Sequence, residues 1–333
     1  MSKEKGRPMA SKTYLWAIID AMREEMERDR NVFLIGEDVA AAGGAFGASR
    51  GLRDAFGPLR VRDTPISEEI IVGLAVGAAM AGKRPIVEIM FMDFFGLCLD
   101  QIMNQAAKMH YLYNGAFRVP MVIRTSVAVE MGIGPHHSQT LEALVGHVPG
   151  LKVVMPSTPR DAKGLLKAAI RDNNPVVFIE HLALHKMKED IEDNVDFIIP
   201  LGKADIKRPG KHVTVVATGL MVRKSLDAAK VLAEEGIEIE IIDPRTISPL
   251  DIETIVTSVR KTNRALVVTS AHQPFGLASQ VAAEISDLAF HDLDAPVRRL
   301  TPPFTPQPFG KGFEAFLHPD VGRIASNVRE LMA

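Results

Sequence analysis

Cysteine is nearly missing from these 333 residues. Cys98 is the only one, which excludes an intramolecular disulfide framework and a cysteine-based zinc site. It lies in the apolar run from Phe94 to Leu99 and reads as a buried thiol. An excess of one charge is missing too. Lys and Arg number 39 against 41 Asp and Glu, so no basic field is available for nucleic acid or an anionic membrane. No apolar run is long. The strongest, Ile70 to Gly82, falls short of the roughly 18–20 apolar residues of a membrane span and ends at Lys83-Arg84. The opening stretch MSKEKGRPMASKTYLW has basic residues but no apolar core, so no secretory signal is expected. These absences make a reducing, cytoplasmic compartment the expectation. No short-period repeat, low-complexity segment, P-loop or GxGxxG fingerprint occurs.

What is present fits a globular enzyme: 47% hydrophobic and 24% charged residues, in a length that favours two domains of about 150 residues. Strand and helix patterns alternate throughout. A helix is expected from Ser11 to Asp29, where Leu15, Ile18, Ile19, Met22 and Met26 recur at helical spacing. Short apolar runs at 32–35, 85–90, 119–123, 152–155 and 176–179 read as buried parallel strands. Helices are expected between them at 70–81, 97–113 and 161–171. This first doubly wound α/β domain spans 11–185, after a flexible N-terminus at 1–10. Residues 186–200 (KMKEDIEDNVDFIIP) have mixed charge and no period and read as a linker. A second α/β series fills 201–333, with strands at 213–217, 237–242, 265–269 and 296–300 and helices at 222–235, 250–260 and 277–288. Ligands of such sheets bind beyond the carboxyl ends of the strands.

Four segments carry candidate chemistry, each beside a plainer structural reading. In TPISEEIIVGLAVG, Ser67 reads as a helix N-cap and Glu68 and Glu69 as first-turn acids favoured by the helix dipole; alternatively one glutamate enters a crevice as an acid–base group. Gly73 and Gly77 allow close helix contact, in a core or across an interface. The loop Glu130 to Thr140 holds two adjacent histidines, His136 and His137, read as surface imidazoles or as an acid–base candidate beyond a strand end. No carboxylate or cysteine lies at ligand spacing, so zinc is not expected there. GGAFG at 43–47 reads as a flexible loop or a phosphate cradle. Phe91, Phe94 and Phe95 read as core or as a platform for a flat heterocycle.

PISEE at 65–69, RPIVEIMFMDF at 84–94, DQIMNQAAK at 100–108, HSQ at 137–139, PGLKVVMPSTPRDAKGLLKAAIRDNNPV at 149–176, DPRTISPLD at 243–251 and SVRKTNR at 258–264 occur in one order. Together they resemble the β subunit of the E1 component of thiamine diphosphate-dependent 2-oxo acid dehydrogenase complexes, from about residue 11 onward. EIMFMDFFGLCLDQIMNQAAK and PPFTPQPF are most similar to the acetoin dehydrogenase branch, with the pyruvate and branched-chain branches close. The resemblance implies a transketolase-like α/β fold, with a pyrimidine-binding domain followed by a transketolase C-terminal domain. It implies an α2β2 heterotetramer that holds thiamine diphosphate between an α and a β subunit. It further implies cleavage of acetoin or decarboxylation of a 2-oxo acid, and reductive acylation of a lipoyl-bearing E2. The GDG…Asn anchor for diphosphate and Mg2+ is absent from this chain, as expected if the α subunit carries it.

Residue by residue, the resemblance places Glu68 on the glutamate that hydrogen-bonds N1′ of the aminopyrimidine. It places Phe94 on the aromatic that packs against that ring, and His137 on the histidine that faces the reacting centre and serves transfer to the lipoyl group. Glu37, in GED, matches a glutamate near the cofactor. Met121, Ala169, Ile170, Asp172 and Asn174 match a K+ site of some members, ligated mostly by backbone oxygens. Glu130 and His136 depart from the usual glycine-rich run before HSQ, and Ser270, in VVTSAHQPFG, stands where an acid is usual. A stand-alone transketolase-like enzyme and a non-catalytic scaffold remain as alternatives; the missing anchor argues against the first, and the retained Glu68, Phe94 and His137 against the second.

Overall fold

The computed structural model describes residues 9–192 and 194–333. Of the expected flexible stretch at 1–10, residues 1–8 lie outside the described residues, and 9–10 open β1 (Met9–Thr13). The expected first helix therefore begins later, at Tyr14, and runs to Arg28, with the Thr13 hydroxyl capping it by accepting from the amide of Trp16. There follow β2 (Val32–Gly36), β3 (Val61–Asp63), β4 (Arg84–Phe91), β5 (Val122–Val127), β6 (Lys152–Val154) and β7 (Val176–His181). They form a parallel sheet in the order β6-β7-β5-β4-β2-β3.

The strands are apolar on both faces because both faces are covered. Leu34, Ile86, Val122, Val176 and Phe178 join one core with the helices Tyr14–Arg28 and Pro159–Arg171. Ile35, Val87, Ile123, Val177 and Ile179 join the other, with the helix Glu68–Met80. The helix expected at 97–113 is broken. Phe95–Asp100 is α-helical, Gln101–Ala106 is a π turn and Met109–Leu112 is a separate helical turn. The wider π turn carries an extra residue and shifts the following face.

β8 (Lys188–Glu192) lies within the stretch read as a linker and pairs antiparallel with β1. Its side chains are mostly charged and only Ile191 is buried, so apolar patterning gave no sign of it. A second sheet, in the order β14-β13-β10-β11-β9, contains β9 (Asp205–Arg208), β10 (Val213–Ala217), β11 (Ile239–Asp243), β13 (Ala265–Val268) and β14 (Arg298–Leu300). It is parallel except for β9. The strand between β11 and β13, β12 (Thr246–Ser248), leaves this sheet and pairs antiparallel with β6 of the first.

The crossing is held by buried charges. The Arg245 guanidinium donates to the carbonyls of Lys203 (2.9 Å) and Ala204 (3.1 Å) and to Asp161 (3.3 Å). Lys207 also pairs with Asp161, and Ser157 donates to Asp243. Two C-terminal helices, Lys311–Leu317 and Val321–Met332, were not anticipated. The second packs Ile324, Ala325, Val328 and Leu331 onto the helix Leu220–Glu234 and joins the core shared with the first domain.

At the centre of the first sheet Arg124 is fully buried between two carboxylates. Nη1 lies 2.8 Å from Glu88 on β4, and Nη2 lies 2.6 Å from Glu180 on β7. Burial and the two carboxylates oppose each other on the guanidinium, and the carboxylates prevail, holding it in the charged form. Removing one member of such a group strands buried charge, at about 3–5 kcal/mol. Arg124→Met should lower the unfolding free energy by roughly that amount, and adding Glu88→Gln and Glu180→Gln should recover much of it. Urea unfolding of the single and triple variants checks this.

Candidate functional site

The segments singled out from the sequence emerge at the carboxyl ends of the first sheet's strands. Glu37 follows β2, Phe94 follows β4, and the loop to His137 follows β5. Glu68 is the first residue of Glu68–Met80 and is nearly buried. Ser67 occupies the N-cap position, but its hydroxyl donates back to Pro65 O (3.1 Å) rather than accepting from the helix. The cap is therefore formed without a side-chain bond. Burial, Asp38 and Glu68 together raise the Glu37 carboxyl above the usual range, so Glu37 and Glu68 are electrostatic neighbours. Glu68 also lies close to Cys98. Burial first, and the Glu68 charge second, push that thiol up to about 12, and its Sγ contacts Phe94 O at 3.9 Å. Cys98 is thus held as a neutral thiol beside Phe94.

His137 sits in an aromatic nest. Its ring centroid is 4.9 Å from Phe91 and 5.7 Å from Phe94, edge to face with both. Phe46, from GGAFG, meets Phe91 at 5.2 Å, so this loop contributes an aromatic wall. His136 is exposed, lies 4.6 Å from His137 and meets Phe309 at 6.2 Å. Among the described residues none hydrogen-bonds the Glu68 carboxylate or the His137 ring, so both are free to meet another molecule.

The HSQ loop is held from two sides. Asp93 Oδ1 accepts from the amide of Gln139 (3.2 Å) and from its side chain (2.9 Å), while Oδ2 is buried without a partner. Thr140 and Ser270 share a hydroxyl hydrogen bond of 3.2 Å; Ser270 thus ties the second domain to the loop. Upstream, Glu130 has φ +69° and pairs with Lys224, which also donates to Pro319 O (2.7 Å). Glu130 therefore serves the loop's anchorage. Gly132 and Gly134 have φ of +74° and +92°; a Cβ would fall 2.6 Å from Lys311 N at the first and 2.4 Å from the Phe309 ring at the second.

Sequence reasoning missed Asp93, Phe46, Phe309 and Glu314 as site-shaping residues. Asp93, Phe46 and Phe309 stood inside motifs already noted; Glu314, whose carboxylate accepts from the Gly132 amide, approaches only through tertiary contact. Gly73 faces Gln101 within the chain, whereas Gly77 faces open space, on a helix side that exposes Ile70 and Leu74. Two clefts of about 770 and 960 Å³ are lined elsewhere, and neither includes Glu68, Phe94 or His137.

The five residues of the expected K+ site do converge, where the helix Pro159–Arg171 ends. Cations of the chain already engage them. Arg84 donates to Ile170 O (2.9 Å) and Asp172 O (2.5 Å), and Lys152 pairs with the Asp172 carboxylate. Met121 O accepts from Val176 N, and Asn174 caps Asp172 Oδ1 (2.9 Å). Among the described residues no three of His, Cys, Asp and Glu converge as metal ligands, and no helix is long and apolar enough to cross a membrane.

Comparison with known proteins adds to this geometry. The family "Transketolase, pyrimidine binding domain" matches residues 11–186, and "Transketolase, C-terminal domain" matches 202–324. The chain is 46% identical over 328 residues to the acetoin:2,6-dichlorophenolindophenol oxidoreductase subunit beta of Bacillus subtilis (strain 168), covering 95% of this chain and 96% of that one. It is 43% identical to the 2-oxoisovalerate dehydrogenase subunit beta of the same organism, over 97% and 99% of the two chains. It is 46% identical to the mitochondrial pyruvate dehydrogenase E1 component subunit beta of Bos taurus, over 95% and 89%. Among solved structures, a split-gene transketolase described as an inactive beta4 tetramer superposes with a TM-score of 0.77 at 22% identity, over 96% and 97% of the chains, a likeness of fold.

Just beyond the HSQ loop, Glu142 is fully buried with neither carboxylate oxygen hydrogen-bonded. Burial pushes its carboxyl from 4.5 up to about 7. The folded form binds the proton more tightly than the unfolded form, so this contribution is intact below pH 4.5 and is lost as pH rises through 7. Glu142→Gln should therefore be more stable than the parent at pH 8, by on the order of 3 kcal/mol, with the difference gone near pH 4.5. Paired denaturation curves across that range check the prediction.

Proposed function

This chain belongs to the family of E1 β subunits of the acetoin and 2-oxo acid dehydrogenase complexes, and on that premise we propose that it supplies half of a thiamine diphosphate site completed by an α subunit. The observation that carries this reading is that Phe94 and His137, 5.7 Å apart, follow the neighbouring strands β4 and β5 while the helix that Glu68 opens packs against β4, and that among the described residues none hydrogen-bonds the Glu68 carboxylate or the His137 ring. The exposed apolar side of Glu68–Met80, with Ile70, Leu74 and the open Gly77, supports assembly with other subunits in a heterotetramer. Mg2+ and the diphosphate are assigned to the α subunit.

The residues fit the cofactor's aminopyrimidine: a carboxylate at a buried helix start, beside an aromatic ring. Thiamine diphosphate, when bound, would supply a nucleophilic carbon and an electron sink for C–C cleavage. Glu68 holds the proton at the pyrimidine N1′, which makes the ring's 4′-nitrogen basic. Phe94 packs the ring and keeps water from it. His137, held edge-on by Phe91 and Phe94, holds or moves a proton at the substrate oxygen and faces the lipoyl acceptor of an E2. The substrate is acetoin or a 2-oxo acid. No step is routed through K+.

Glu68→Gln, reconstituted with the α subunit, should keep its thermal transition and lose roughly 10²–10⁴-fold in the turnover rate. Dye-reduction assays with acetoin, pyruvate and 2-oxoisovalerate check it, and unchanged turnover would overturn the assignment.

A further inference from the structure

The helix Lys311–Leu317 is inverted: its exposed residues include Phe313 and Phe316, at 74% and 83%, and its one buried residue is Glu314. A helix that turns phenylalanines outward and a carboxylate inward breaks the rule for a helix docked on a core, and such violations concentrate at functional sites. The contacts show what Glu314 does. Its Oε2 accepts from the amide of Gly132 at 2.5 Å, across 182 positions of sequence. Gly310 N in turn donates to Gly132 O at 3.0 Å, and Ile133 forms a bridge with Phe309. Lys224 secures Glu130 two residues upstream. The backbone of 130–134 is thus fastened to the C-terminal domain, and His137 N donates to Gly134 O at 3.4 Å directly after it. Burial raises the Glu314 carboxyl while the facing amides of Glu130 and Gly132 lower it, and burial prevails.

We propose that Glu314 is a positioning residue for His137: from the second domain it fixes the strained loop 130–134 through the Gly132 amide, and thereby sets where the His137 ring stands. This rests on the function proposed above for His137. A misplacement of about 1 Å in such a group costs up to roughly 10²-fold in rate, while ground-state binding of the cofactor through Glu68 and Phe94 is untouched.

The test uses the complex reconstituted with the α subunit, carrying Glu314→Ala or Glu314→Gln, with Glu235→Gln, a partner of Arg329 at the surface, as control. Glu314→Ala should speed amide exchange across 130–137 and lower kcat for lipoyl-E2 reduction by roughly 10- to 100-fold. KM and thiamine diphosphate affinity should stay within about twofold, since the lost step is positioning alone. Glu314→Gln keeps an acceptor oxygen and should restore most of kcat. Unchanged exchange or unchanged kcat in Glu314→Ala overturns the proposal. So does a loss shared equally by both variants together with cofactor binding, because that is a structural defect. If Glu314→Ala fails to assemble, Lys224→Met frees the same loop at Glu130 and must show the same kcat-only loss; normal kcat there overturns the proposal. Amide exchange needs no turnover, so an inactive parent complex would refute the functional reading and still leave the Glu314 anchorage decided.

Discussion

Arg124 between Glu88 and Glu180 is the interaction on which the site depends. A buried guanidinium with two carboxylates is poorly justified as stabilisation, because three charges lose their water and only excellent geometry offsets that loss. Its other effect is register. Glu88 and Arg124 are direct neighbours across β4 and β5, and Glu180 lies two positions along β7 from the Arg124 partner, Phe178. A slip of any of these strands by one residue would turn a charge into an apolar layer. The three strands so locked carry Phe91 with Asp93 and Phe94, the HSQ loop, and His181. The polar group in the middle of the sheet is what lets three separate loops agree on one position.

The loops then receive a second restraint from the other domain. Asp93 holds the HSQ loop at Gln139 from within the first sheet, whereas Ser270, Phe309, Lys224 and Glu314 reach it from the second domain. The domains also share a sheet. β12 crosses into the first sheet, and Arg245 and Lys207 converge on Asp161 at the crossing. Burial, only partly opposed by Lys207, raises the Asp243 carboxyl beside them. A rigid junction is what a loop anchored from both sides requires, because any relative movement of the sheets would appear directly at His137.

The sequence made most of this framework legible and much of the anchorage invisible. The strand at 213–217 and the helix at 277–288 have the boundaries that apolar patterning implied. Patterning reports burial against the chain's own core, and these elements are buried in that way. β1 and β8 were missed because they pair only with each other and bury little: MASKT has no buried residue and KEDIE only Ile191. β12 was missed because three residues after DPR carry no period. Glu68, Phe94 and His137 could be singled out because they stand in motifs that occur in one order along the chain. Glu314 was not, since a glutamate between two phenylalanines predicts an exposed acid on a buried helix, the reverse of what is found. The error has a physical source: hydropathy assumes that apolar side chains face the chain's own core, and Phe313 and Phe316 do not.

The same logic accounts for the concentration of costly groups around one loop. Glu142 and Glu314 are buried carboxyls held above their ordinary range. His181 is buried with neither ring nitrogen bonded, and burial drives it down to about 3, while His318, bonded to Gln307, falls to about 4. Gly132 and Gly134 adopt backbone that a Cβ would forbid. Each of these lowers stability, and a chain selected for stability alone would replace them with apolar residues that pack. All but His181, which ends β7, lie along the segment from Glu130 to Glu142 or among the C-terminal residues that clasp it. A loop whose position matters more than its stability would be built in this way, and the cores on both faces of the sheet are extensive enough to carry it.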